Sequence, residues 1–377
     1  MARALRSLPT HFLPRLPRSF VVQRLVESVL RPRSGTVRER FSPAFLLTVA
    51  LCALGIILWR ADRTYPIGMH DLYPIYYGAK AWLATGNAYD LAAVAPLADR
   101  FHGIYLTGNG YPLPAALLLT PLTLLSPKGA AIVWLGFIVA STLLTLRLAG
   151  ASCWLILYWP FLEALRLEQY TALVVLFQIL ALWAYKARRP WLLALCCALM
   201  LTKPQQTIFF VLALVFLARN WRQQLAMGAL VWGGATLLDP NWLGEWLTAL
   251  SHYKEISGHP LYWQLGLLAL PLVFFRNYLG AAIFLPFLFF VFPIPSPYLA
   301  AVIPLAVLND RRNVWLMPVS YLWFIATAYF GQGWFAVVLT LGLPALLISA
   351  MQWRERASAP SPPQPIAPDL QTANVRS

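Results

Sequence analysis

Apolar residues run in long blocks through most of this chain, and the polar positions fall between blocks rather than alternating within them. Blocks of 13 to 20 apolar residues, parted by Pro, Gly or short charged turns, fill nearly all of residues 43 to 351. A helix needs about 20 mostly apolar residues to cross roughly 30 Å of hydrocarbon, fewer when aromatics flank it. Only helices and closed barrels satisfy their backbone groups in lipid, and these blocks are too long and too uniformly apolar for barrel strands. The pattern predicts an all-α polytopic membrane protein.

The first block spans 43–59, and later ones fall at 112–126, 129–147, 151–163, 170–185, 190–202, 205–218, 223–238, 261–275, 278–292, 296–308, 314–330 and 334–351. Between the first two lies the longest polar stretch, 60–111. Its four acids (Asp62, Asp71, Asp90, Asp99) balance four bases (Arg60, Arg63, Lys80, Arg100). Basic turns recur at every second connection: Lys186/Arg188/Arg189, Arg219/Arg222, Arg276, Arg311/Arg312 and Arg354/Arg356. Such residues favour the cytoplasmic side, so 60–111 is the first extracytoplasmic loop. Within it, Leu72 to Thr85 reads as a helix lying on the membrane, stopped by Gly86-Asn87. Crossing parity fails by one unless 112–126 or 151–163 is re-entrant or lies flat, which leaves about twelve crossings and both termini cytoplasmic. Residues 1–41 form an Arg-rich cytoplasmic arm, with an amphipathic stretch around Phe20 to Leu30. Residues 42–353 form the membrane domain, and 354–377 a Pro- and Ser-rich disordered tail.

Composition sharpens this picture. The chain is 59% apolar and 11% charged, which excludes an ordinary soluble domain. A net charge of +15 suggests nucleic acid until the charges are located: nine arginines lie in the first 40 residues and most other basic clusters in short turns. That is topology, not a nucleic-acid face. Cys52, Cys153, Cys196 and Cys197 all lie inside apolar blocks, without metal-ligand spacing, and read as packing residues. No internal repeat of the transporter kind, P-loop, dinucleotide fingerprint, nucleophile elbow or zinc protease motif is present.

Four groups could carry chemistry. Asp71 sits just past the first block, in His70-Asp71-Leu72-Tyr73-Pro74-Ile75-Tyr76-Tyr77. A carboxylate there can take a proton from a sugar hydroxyl, with Tyr73, Tyr76 and Tyr77 walling the groove and raising its pKa. The alternative is that Asp71 simply caps the following helix. Glu163, Arg166, Glu168 and Gln169 cluster between two blocks, either lining a cavity or forming a self-satisfied Glu163–Arg166 pair. Lys203-Pro204 breaks the apolar stretch from Trp191 to Leu217. An ammonium at that depth suits a leaving phosphate, or else sits at an ordinary interfacial turn. The loop Asp239 to Pro260 carries Asp239, Trp242, Glu245, Trp246, His252 and His259. It reads either as an interfacial helix or as a polar face shared by the two histidines, which have no third ligand for zinc.

The order of these pieces resembles glycosyltransferase family 87, within the GT-C superfamily. The resemblance rests on Asp71-Leu72-Tyr73 with Tyr76-Tyr77 and on Leu83-Ala84-Thr85-Gly86-Asn87-Ala88-Tyr89-Asp90. It continues with Tyr111-Pro112-Leu113-Pro114, Leu119 to Leu125, Glu168-Gln169 where the family tends to have Gly-Gln, and Lys203-Pro204. It covers most of 43 to 310 and implies a GT-C-like bundle of about 10–13 transmembrane helices. It implies inverting transfer from a polyprenyl-phosphate sugar, commonly mannose, to a glycan or glycolipid acceptor on the extracytoplasmic side of the cell membrane. Asp71 would be the catalytic base, with Lys203 and Arg166 on the donor phosphate. Substrate contacts would come from His70, Tyr76, Tyr77, Glu168, Gln169 and His259. No cofactor or metal is implied. Many relatives carry a late Trp-x-His-His signature, whereas Ser296-Pro297-Tyr298-Leu299-Ala300 has no histidine. A lipid-sugar flippase, another transporter or a membrane scaffold is the competing class, though the later blocks hold little of the charge a translocation path needs.

Overall fold

The computed structural model describes residues 47–52, 71–90, 92–93, 109–148, 153–257 and 316–321, with a few isolated residues between 267 and 285. All regular structure among them is helical. Expectations for the N-terminal arm, the C-terminal tail, His70, His259 and most blocks beyond 260 lie outside the described residues.

Helix α1, Leu72–Thr85, forms where the sequence expects it and ends at Gly86. That residue takes φ 78° and returns its N–H to the Trp82 carbonyl at 2.8 Å. Glycine enters this left-handed region without the Cβ clash other residues meet. The next block does not form one helix. It gives α2, Leu113–Leu119, and a 3-10 turn, Thr120–Leu124. Pro121 explains the break, because its ring clashes with the preceding turn and it has no N–H to donate. Helix α3, Pro127–Leu148, is 22 residues long and is the single described helix long and apolar enough to cross a membrane. The block at 151–163 is likewise divided, into a 3-10 turn, Cys153–Leu157, and α4, Trp159–Arg166. Neither 112–126 nor 151–163 is therefore a continuous membrane-length helix.

Helices α5 (Thr171–Lys186), α6 (Pro190–Met200) and α7 (Pro204–Ala218) follow as shorter apolar helices. Then α8, Trp221–Gly228, runs without a break through a π turn, Ala229–Gly233, into α9, Gly234–Leu238. Helix α10 is Trp242–Ser257 and α11 is Leu316–Ser320. The packing centre is α5, which lies along both α3 and α6, while α1 packs on α2. One core cluster joins Leu72, Ile75 and Tyr76 of α1 to Trp134 and Ile138 of α3 and Tyr170 beside α5.

Large apolar side chains are exposed on these helices while some polar ones are buried. Ser141, Thr142 and Thr145 of α3 are buried, whereas Ile132 on the same helix is 71% exposed and Phe216 of α7 is 79% exposed. Cys52, Cys196 and Cys197 are buried and free.

Candidate active site

The site grows from three connections that are distant in sequence. Asp71 stands at the N-cap of α1, yet its side chain makes no capping bond, so helix capping does not account for it. Its backbone N–H donates to the Leu167 carbonyl at 3.1 Å, pinning the start of α1 to the turn between α4 and α5. In that turn Glu168 adopts φ 52°, the left-handed region. Its carbonyl accepts the Trp134 indole N–H at 2.9 Å, and the Gln169 N–H closes on the Ala164 carbonyl at 2.8 Å. The reversal delivers Gln169 and Thr171 to Lys203.

Lys203 ends the turn before α7, where Pro204 starts the helix with its fixed φ and absent donor. Its ammonium is buried. Nζ donates to Gln169 Oε1 at 3.1 Å and to Thr171 Oγ1 at 2.7 Å, and it lies 5.4 Å from the centroid of the Tyr111 ring. Tyr111 meets Tyr170 edge to face at 5.7 Å, and Tyr170 stacks on Trp134 at 6.1 Å. These rings and the neutral oxygens hold the cation in a dry but polar setting.

Arg166 and Glu163 pair through two parallel bonds, Nε to Oε2 at 2.9 Å and a terminal nitrogen to Oε1 at 2.8 Å. The self-satisfied pair expected from the i, i+3 spacing is present, and it also acts on Asp71. Burial pushes the Asp71 carboxyl up to about 6, with Glu163 raising it further and Lys203 and Arg166 pulling it down. The four charged groups are therefore within electrostatic reach of one another. Burial also brings Lys203 down to about 8, with Asp71 opposing the fall. An acid tuned towards neutrality beside a cation is the arrangement general-base chemistry uses.

Two sequence expectations shift. Tyr76 is fully buried and its hydroxyl donates to the Leu125 carbonyl at 2.8 Å, so it serves packing rather than a groove at the carboxylate. Tyr77 is buried against Tyr73 and Tyr76, ring centroids 4.4 and 5.0 Å away. The aromatic wall at the charged site is instead Tyr111 and Tyr170. Glu168 is buried in the turn beside Gln169. Gln206 was not singled out in the sequence. Its Oε1 lies 3.4 Å from Thr171 Oγ1, and its Nε2 has no hydrogen-bond partner among the described residues. The signal was there: Gln206 is three residues past Lys203 and opens the same apolar helix.

The profile of glycosyltransferase family 87 matches residues 109–362, two thirds of the chain. That span contains Glu163, Arg166, Glu168, Gln169, Lys203 and Gln206, while Asp71 precedes it. No curated protein and no solved structure matches the chain. The length of the profile match is sufficient to assign membership, and the chain belongs to glycosyltransferase family 87.

Proposed function

We propose that this glycosyltransferase moves a sugar, most simply mannose, from a polyprenyl phosphate to a hydroxyl of an extracytoplasmic glycan or glycolipid, inverting the anomeric centre. The observation that carries this reading is the backbone bond from Asp71 to Leu167, which fixes Asp71 against the turn that carries Arg166 and whose Gln169 accepts a bond from Lys203. Asp71 takes the proton of the acceptor hydroxyl while that oxygen bonds to the anomeric carbon. The carbon–oxygen bond to phosphate breaks with its electron pair on the phosphate oxygen, and polyprenyl phosphate departs. Lys203 and Arg166 offset the charge gained by that oxygen. One carboxylate suffices, because a phosphate leaving group needs no general acid, unlike glycoside hydrolysis with its two.

Tyr111 and Tyr170 offer faces for the sugar ring, and Gln169 and Gln206 amides for its hydroxyls or the phosphate. The multi-pass arrangement, with the site at the outer face of a plasma membrane, is part of the same proposal. Its support is the succession of apolar blocks, the alternating basic turns and the exposed apolar side chains of α3 and α7.

The test is sugar transfer from polyprenyl-phosphate-mannose by membranes containing equal amounts of wild type or Asp71→Asn. Loss of a positioned general base lowers turnover by about 100- to 10,000-fold. Donor binding should persist in the variant. Equal transfer by both proteins removes Asp71 as the base, and no transfer by wild type removes the proposed donor.

A further inference from the structure

A second group of polar atoms lies at the other end of α1, inside an aromatic wall. Eleven residues separate Asp71 from Trp82, about 16 Å at the helical rise of 1.5 Å per residue. There Trp82, Tyr89, Trp242 and Trp246 pack into one cluster, the last two with ring centroids 6.0 Å apart. Two bonds tie the wall to the loop that carries Tyr111. The Trp246 indole N–H donates to the Gly110 carbonyl at 3.0 Å, and the Tyr89 hydroxyl to the Tyr111 carbonyl at 3.1 Å.

Two carboxylates enter this cluster from the start of α10 and the turn before it. Asp239 is 7% exposed and commits Oδ1 to the Asn241 N–H at 3.0 Å. Its Oδ2 has no hydrogen-bond partner among the described residues, and neither has Glu245 Oε2 or the Trp82 indole N–H. The backbone ties these groups to the wall: the Trp242 N–H donates to the Asp239 carbonyl at 3.4 Å, and Glu245 immediately precedes Trp246 on α10, both tryptophans packing with Tyr89 and Trp82.

Unsatisfied buried polar atoms are uncommon in folded proteins and ask for a ligand, water or ion. Here the unmet needs differ in sign. Two oxygens need donors and one indole needs an acceptor, within a wall of ring faces. A divalent cation answers the oxygens and leaves the indole unmet, and so does a lysine or arginine of a partner protein. A saccharide answers all three, since each hydroxyl both donates and accepts and its C–H faces lie on aromatic rings.

We propose that Asp239, Glu245, Trp82 and Tyr89 form a second saccharide-binding subsite, remote from the reaction centre. That its occupant is the distal part of the acceptor glycan rests on the transferase reading above. A glycan lying along α1 would present its reactive hydroxyl to Asp71 and a more distant sugar to this cluster. Chain length of the acceptor is then read here.

The test is calorimetric titration of the purified full-length protein in lipid nanodiscs, without donor, using methyl α-mannoside, an α-linked mannotetraose and calcium chloride as probes. Wild type should bind the tetraose at least tenfold more tightly than the monosaccharide. Asp239→Asn, Glu245→Gln and Trp82→Phe should each weaken the tetraose at least tenfold. Trp82→Phe keeps an aromatic face while removing the indole N–H with its five-membered ring, and the isosteric Glu245→Gln guards against a misfolded Asp239 variant. Unchanged tetraose binding in Trp82→Phe and Glu245→Gln overturns the subsite, as does absence of tetraose binding to wild type. Calcium binding abolished by Asp239→Asn, with no saccharide bound, overturns it in favour of a cation. Since no donor is present, failed sugar transfer with intact tetraose binding would sink the transferase reading alone.

Discussion

Asp71 and Lys203 are opposite charges that burial moves towards each other, one up to about 6 and the other down to about 8. The proposed chemistry needs Asp71 deprotonated and Lys203 protonated. Transfer should therefore rise as pH passes about 6 and fall as it passes about 8, a bell measurable as kcat/KM against pH. Because Lys203 lowers the Asp71 value, Lys203→Met should move the acid limb upward as well as slow the reaction, and an unmoved limb would separate the two groups. Glu168 offers a second check at this scale. Its φ of 52° falls where a side chain costs about 1–2 kcal/mol, and the family resemblance places glycine at this position. Glu168→Gly should leave thermal stability unchanged or raise it by up to about 1 kcal/mol, after the entropy lost by glycine is counted. A clear drop in melting temperature would show that the carboxylate, not the backbone, is what the site needs. The candidate residues were legible in the sequence as isolated polar positions in an apolar field. Their grouping was not, since nothing in the spacing of Asp71, Arg166 and Lys203 states that α1, the α4–α5 turn and the α6–α7 turn converge.

At the scale of elements, the start and stop signals carried far. Gly86 ended α1, Pro204 opened α7, and the blocks at 129–147, 170–185 and 205–218 reappear within a few residues as α3, α5 and α7. Crossing parity singled out 112–126 and 151–163, and both are divided; in the first, Pro121 has no N–H to donate and breaks the helix. Tyr73, Tyr76 and Tyr77, expected to wall a groove beside Asp71, are buried side chains in the structure. Their i, i+3, i+4 spacing is the stripe by which α1 buries itself, as the Tyr76 bond to Leu125 confirms. The π turn at Ala229–Gly233 had no sequence signal that we can identify. Close approach between α1 and the 109–112 loop gives a prediction at this level. A Cβ on Gly78 would stand 2.5 Å from Asn109 Nδ2 and 2.8 Å from its Cγ. Gly78→Ala should thus push the loop away and cost about 1–3 kcal/mol of stability. Tyr111 leaves the Lys203 ammonium with that loop, so KM for the donor should rise more than thermal stability falls. A variant with unchanged KM and melting temperature would show that the loop yields freely.

Among the described residues of the molecule, the candidate polar groups gather at connections and helix ends, and the helix middles supply mostly apolar walls. Asp71 comes from the first long connection, Glu163 and Arg166 from the end of α4, Lys203 from the turn before α7, and Asp239 from the turn before α10. Among the described residues, Asp71, Arg166 and Lys203 come from three separate places in the helix order. The backbone bond from Asp71 to Leu167 therefore has a meaning in time as well as in space. Synthesis runs from the N-terminus, and domains begin to fold as their residues emerge. Asp71 leaves the ribosome about a hundred residues before its anchor and its arginine, and later still acquires its lysine. Throughout that interval it is an ordinary solvated carboxylate beside a half-built wall. On the proposed reading, a chain halted before Arg166 carries its base but lacks the arginine, lysine and amide that complete the site.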